Sequence, residues 1–247
     1  MYIKCVLFSI VLFSSFLSNA YASHRDHDLW KNTIELGGSV ETGNNPSRTV
    51  LGKFKSDLDI KYPDHPWGYS YALEGRRSTA RGIETARRVR THGEGRYLFS
   101  KRTYVFGKVN YVYNAFDTYD IVVRDSGGLG YILFDTPKQK LTVEAGPGGT
   151  HQRIAGSKIW QNQFIAHGEA NYILHLGETA EFKQDLIVDA GDLNTYFRAV
   201  SSITTTITSN LNLRFSFESD HNSTIPASSS NTQHTDTVTS VTLLYCF

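Results

Sequence analysis

TVTSVTLLYCF, residues 237–247, closes the chain and decides how the rest is read. Successive side chains of a strand point to opposite faces. Val241, Leu243, Tyr245 and Phe247 therefore share one face, and Ser240, Thr242, Leu244 and Cys246 share the other. A strand that stops on phenylalanine has no polar tail to meet water. The closing strand of a membrane β-barrel has this form, with lipid against every second residue. Val241, Leu243, Tyr245 and Phe247 are also the expected signal to the barrel-assembly machinery during insertion.

The other terminus points to the same destination. Lys4 is followed by an apolar run over residues 6–17, and Ala20-Tyr21-Ala22 has the form of a cleavage site. Residues 1–22 read as a secretory signal, too short to span a bilayer as a helix. Residues 23–247 then form one domain, with no linker or break in composition to divide them. Cys5 falls in the signal, which leaves Cys246 alone in the mature chain and excludes a disulfide framework. Cys246 reads as a small side chain facing the interior. The net charge of +1 makes no bulk case for nucleic acid.

Scanning for period-two alternation gives twelve strands, over 30–40, 49–62, 67–75, 89–99, 104–113, 121–134, 141–147, 160–174, 180–190, 197–207, 211–219 and 237–247. Five of the six prolines fall in the gaps, and Pro147 ends the seventh span. One face of each span is apolar: Ile34 and Leu36, Phe54 and Ile60, Val105 and Val109, Leu213, Phe215 and Phe217. Asp125 is the one charge on these faces. The opposite faces carry Lys31, Lys53, Lys55, Lys61, Arg90, Arg96, Lys108, Arg124, Lys183, Arg198 and Arg214. They also carry Glu35, Asp57, Asp59, Glu74, Glu94, Glu144, Glu169, Glu181, Asp185, Asp189 and Glu218. A lysine or arginine facing the bilayer midplane costs about 2–4 kcal/mol. Several misplaced ones would cancel the ~5–15 kcal/mol stability of a typical domain. The split fits an antiparallel up-and-down transmembrane barrel of the all-β class with a polar lumen. Asp125 suggests a bulge at Gly127-Gly128 or a slipped register in the sixth span.

The longest gaps, 76–88, 148–159 and 220–236, are connections three, seven and eleven. That matches long external loops on a barrel whose two termini face the periplasm. Aromatics near strand ends, such as Trp30, Tyr62, Trp67, Tyr97, Tyr104, Trp160 and Tyr245, suit interfacial girdles.

Several stretches carry a family likeness: WKNTIELGGSVETGNN (30–45), TYVFGKVNYVYNAF (103–116), SGGLGY (126–131), LTVEAGPG (141–148) and DTVTSVTLLYCF (236–247). In this order the chain resembles the salt-induced outer-membrane proteins of Gram-negative bacteria (YdiY-like). The resemblance implies a monomeric barrel in the bacterial outer membrane and a link to salt or osmotic stress. It brings no catalytic residues.

No metal-ligand, nucleophile-elbow or phosphate-loop motif is present, so no catalytic, cofactor or metal site is expected. His24, Asp26, His27 and Asp28 read as a solvated tail. His92, His167 and His175 face inward with no hydroxyl partner singled out by spacing, which makes a lipid-modifying enzyme the weaker reading. The expected activity is non-enzymatic: envelope maintenance, or narrow passage of ions or small solutes through a lumen lined by Lys53, Lys55, Asp57, Asp59, Glu74, Arg90, Glu94, Arg96, Lys108, Arg124, Glu144, Glu169, Arg198 and Arg214. Balanced signs favour ion pairs that fill the interior over a selective ring. The alternative is a surface interaction protein. Its external loop with Arg76, Arg77, Arg81, Arg87 and Arg88 would hold lipopolysaccharide phosphates or a host surface. A soluble periplasmic ligand-binding barrel is a third possibility.

Overall fold

The computed structural model describes residues 30–42, 47–60, 63–80, 83–224 and 234–247, and these form twelve strands with no helix among them. In chain order they are β1 (Trp30–Thr42), β2 (Ser47–Leu58), β3 (Trp67–Ala80), β4 (Ile83–Leu98), β5 (Thr103–Asn114) and β6 (Tyr119–Asp135). They continue with β7 (Gln139–Ile154), β8 (Trp160–His175), β9 (Ala180–Gly191), β10 (Thr195–Thr206), β11 (Leu211–Asn222) and β12 (Thr235–Cys246). Each strand pairs antiparallel with its neighbours in sequence, and β1 pairs with β12 to close the barrel. The signal over 1–22, the tail to residue 29, Lys61, Tyr62 and Arg81 lie outside the described residues.

The closing seam shows why alternation determines the wall. Leu36 stands opposite Leu243 and Ile34 opposite Tyr245, all four outward. Val241, Leu243, Tyr245 and Phe247 are 51%, 48%, 52% and 59% exposed, whereas the interleaved Ser240, Thr242 and Leu244 are buried. The Phe247 amide donates to the Asn32 carbonyl at 3.0 Å, so the last residue completes the seam. Gly37 lets the two strands close: a Cβ there would lie 2.3 Å from the Val241 carbonyl oxygen. Cys246 faces inward, its sulfur 3.5 Å from the Asn212 amide nitrogen.

Several expectations are corrected. The 76–88 gap is largely strand, since β3 runs to Ala80 and β4 starts at Ile83. In the 148–159 gap β7 runs on to Ile154, and in the 220–236 gap β11 reaches Asn222 and β12 starts at Thr235. Polar hairpins that rise above a wall keep pairing although their apolar alternation has ended, so pattern alone stops too early. Pro147 sits inside β7, where Gly127, Gly128, Gly146 and Pro147 are left unpaired across the β6–β7 seam and no ladder donor is required. At Asp125 itself the register is continuous, while the β6–β7 pairing is interrupted at Gly127-Gly128 and the register shifts between Tyr119 and Ile121 and between Ile132 and Phe134. Asp125 lies opposite Val109 on the outward face, and His151 Nε2 stands 3.1 Å from its Oδ1.

Ile60 and Tyr104 also differ. The chain leaves β2 at Leu58, and Ile60 packs against the buried cluster of Leu98, Tyr104, Phe106 and Ile132. These residues fill the end of the lumen where β1 begins and β12 ends. Tyr104 is 2% exposed and points inward, with its ring over Gly130, where a Cβ would fall 2.1 Å from ring carbon. Trp67, Tyr97, Trp160 and Tyr245 do face outward, at 67%, 36%, 47% and 52% exposure.

Candidate functional site: the charged lumen

The inward charges of the twelve strands pair with one another, some across the lumen and some two residues apart on one strand. Above the apolar cluster, the Tyr104 hydroxyl donates to Glu144 Oε1 at 2.8 Å. Lys108 from β5 bridges Glu144 of β7 and Glu169 of β8, the latter at 2.6 Å. Its side chain is 2% exposed. His167 Nδ1 lies 2.6 Å from Asp189 Oδ1, and its Nε2 is 3.6 Å from Glu169. Arg124 stacks on the Tyr196 ring at 4.1 Å and approaches Asp189 at 3.8 Å.

Nearer the far end, Arg90 of β4 reaches Glu218 of β11 at 3.2 Å and Asp220 at 3.6 Å. In the closed order β4 and β11 stand almost opposite each other, so this pair crosses the lumen. Arg198 meets Glu218 at 3.0 Å, and Glu74 accepts from Arg76 at 3.1 Å. On the β1 side Arg214 binds Glu35 at 3.1 Å, and Lys55 pairs with Asp57 at 2.7 Å and Lys183 with Asp185 at 3.0 Å. Glu94 lies between Arg96 and His92, 3.4 Å from each. Lys53 faces the same interior, opposite Glu74 and Glu35. Asp59 is past the end of β2 and exposed.

A cavity of about 40 Å³ remains between Arg90, Arg124, Arg198, His167, Asp189 and Tyr196. That is room for about two or three waters, far below the roughly 300–1,000 Å³ of a small-molecule site. Glu144, His167 and Glu169 bring ligand-type atoms within 4.8 Å of one another, but the Lys108 ammonium already sits on both carboxylates. The geometry suits a cation fixed by the chain itself.

The arginine loop separates into two faces. Arg76 and Arg88 point into the lumen, toward Glu74 and Asp220. Arg77 and Arg87 point outward, 70% and 56% exposed, and both pair with Glu84 at the hairpin tip beyond the wall. Hydrogen bonds from Arg87 and the positive charges of both arginines hold the Glu84 carboxyl below the usual carboxylate range. The five-arginine surface expected from sequence is therefore reduced, among the described residues, to these two arginines sharing one carboxylate. Strand alternation through the hairpin is the reason. His92 meets Asn110 and Glu94, and His175 meets Glu181, instead of a hydroxyl nucleophile.

A family model described as "Protein of unknown function, DUF481" matches residues 34–247. The chain belongs to this family. No curated protein matches its sequence. Among solved structures it is similar to the NanC porin, with a TM-score of 0.55 and 6% identity over 86% of this chain and 98% of that one. It is also similar to the translocator domain of the autotransporter NalP from Neisseria meningitidis, with a TM-score of 0.51 and 10% identity over 99% of this chain and 96% of that one. At these identities the likeness is one of fold, and this DUF481 member has the porin-like transmembrane β-barrel fold.

Proposed function

We propose that this DUF481 protein is an outer-membrane barrel that passes only ions or very small solutes, through a lumen its own ion pairs keep narrow. The observation that carries this reading is the Arg90–Glu218 contact between nearly opposite strands, joined by Arg198 and Asp220. With the Lys108 bridge and the Tyr104 cluster below, it supports three successive constrictions. The apolar outward face fits a bilayer, and both termini then face the periplasm. The balanced lining supports weak ion preference. A role in envelope maintenance under salt or osmotic stress extends the family likeness noted in the sequence.

Planar-bilayer conductance and liposome swelling test this. Small, brief openings in the wild type, with larger ones after Tyr104→Ala, are expected. Wide steady pores in the wild type, or silence from both proteins at high load, would overturn it. Growth of a deletion strain at raised salt, complemented by wild type or by Glu218→Gln, tests the physiological link. Among the described residues, the reading of an interaction protein that grips lipopolysaccharide through the arginine hairpin rests on Arg77 and Arg87, and Glu84 offsets half of their charge.

A further inference from the structure

Asp125, His151 and Asn162 point outward from the adjacent strands β6, β7 and β8. His151 Nε2 lies 3.1 Å from Asp125 Oδ1, and its Nδ1 lies 2.9 Å from Asn162 Oδ1. The His151 and Asp125 side chains are 45% and 49% exposed. Their neighbours on this face are apolar: Val109 stands opposite Asp125, and Phe164, 91% exposed, stands opposite Gly149. The lumen chemistry makes no use of this cluster.

Toward the end where β1 begins and β12 ends, the same face is paved with small residues. Gly95, Gly107 and Gly127 are paired in register across β4, β5 and β6. Pro147, Ala166 and Ala190 are paired likewise across β7, β8 and β9. A Cβ added at Gly95 or Gly107 would meet nothing within 4 Å, and one at Gly127 only the Phe106 carbonyl oxygen at 3.4 Å, so this stretch of the wall is a shallow trough open to the outside. Phe164 stands at its edge.

We propose that this face binds a glycolipid of the outer leaflet, its saccharide head on Asp125, His151 and Asn162 and an acyl chain along the glycine and alanine row. The placement rests on the membrane-spanning reading above. Among the described residues, Asp125 Oδ2 and the Asn162 amide nitrogen have no partner. One accepts and the other donates, and a sugar hydroxyl does both. Trp160, 47% exposed and two residues before Asn162 on the same face, presents a ring to the C–H face of a sugar. A bare phosphate head fits less well, because the Asp125 carboxylate would repel it.

Depth supports the same occupant. A strand rising about 3.3 Å per residue and tilted about 40° climbs roughly 2.5 Å per residue. From Tyr172, near the terminal end of β8, up to Asn162 is then about 25 Å, the height of the apolar band. Asn162 and His151 stand at the boundary where lipid heads meet chains, and the trough lies beneath them.

Native mass spectrometry of the full chain in phosphatidylethanolamine nanodiscs, with and without lipopolysaccharide, is the test. Wild type is expected to retain lipopolysaccharide in preference to phosphatidylethanolamine. Asp125→Ala combined with Asn162→Ala should weaken retention roughly thirtyfold, as the loss of two hydrogen bonds implies. Gly107→Leu, which fills the trough and leaves the head cluster intact, should weaken it as well. Heat-modifiable gel mobility identifies the folded variants, and either one suffices. Equal retention by wild type and a folded variant would overturn the proposal, as would equal retention of phosphatidylethanolamine. A dimer mass lost in these variants would also overturn it, by making a second copy the occupant. Conductance of Asp125→Ala unchanged from wild type separates failure of this site from failure of the lumen reading.

Discussion

Replacing Lys108 by methionine removes the cation that touches both Glu144 and Glu169. Methionine keeps most of the volume, so the loss is chiefly electrostatic. The two carboxylates have oxygen atoms within 4.8 Å of each other. At an effective dielectric constant of about 20, unit charges that close repel by about 3.5 kcal/mol. Breaking a buried pair by removing one partner typically costs about 3–5 kcal/mol, and the two estimates agree. Lys108→Met should therefore melt well below wild type, as read by heat-modifiable gel mobility and thermal circular dichroism in detergent. Glu169→Gln added to Lys108→Met should recover at least about 2 kcal/mol, because it removes the repulsion at its source. A Lys108→Met protein within about 1 kcal/mol of wild type, with no recovery from Glu169→Gln, would refute the bridge as a buried constraint. Lys108→Ala should further expose Glu144, His167 and Glu169 to divalent zinc, detected as a metal-dependent rise in melting temperature that wild type lacks.

Glu218→Gln leaves Arg90 and Arg198 with Asp220 as their remaining shared carboxylate, so reversal potentials across a salt gradient should shift toward anion preference. Gly130→Ala places a Cβ against the Tyr104 ring and should cost about 1–3 kcal/mol by overpacking, checked by thermal melting. Photolabelling from the lipid phase should mark Phe54 and Leu243 and spare Lys55 and Glu94; the reverse pattern would turn the wall inside out. Arg76→Gln combined with Arg88→Gln should lower the melting temperature, since both face lumen acids. The pair Arg77→Gln and Arg87→Gln, outward and salt-screened, should change it little. Phe247→Ser should lower the yield of folded barrel in membranes by weakening the outward terminal strand.

The closing strand shows what the amino-acid order determined by itself. Strand side chains alternate with a fixed period, and the penalty for a charge in lipid is large. Val241, Leu243, Tyr245 and Phe247 on one face therefore specified the outward wall, and Lys108, Glu144, Glu169 and Arg90 on the other specified a polar interior. Asp125 was legible as an exception, but its partner was not: His151 lies 26 residues away and meets it only through the β6–β7 pairing. The same limit hid Ile60 and Tyr104, whose inward turn depends on a chain reversal and on the space above Gly130. It also hid the inward half of the arginine hairpin, because strand pairing continues there without an apolar pattern to mark it. Which charges meet is decided by closure, since bending twelve strands into a ring brings Arg90 of β4 against Glu218 of β11, residues that no local spacing connects.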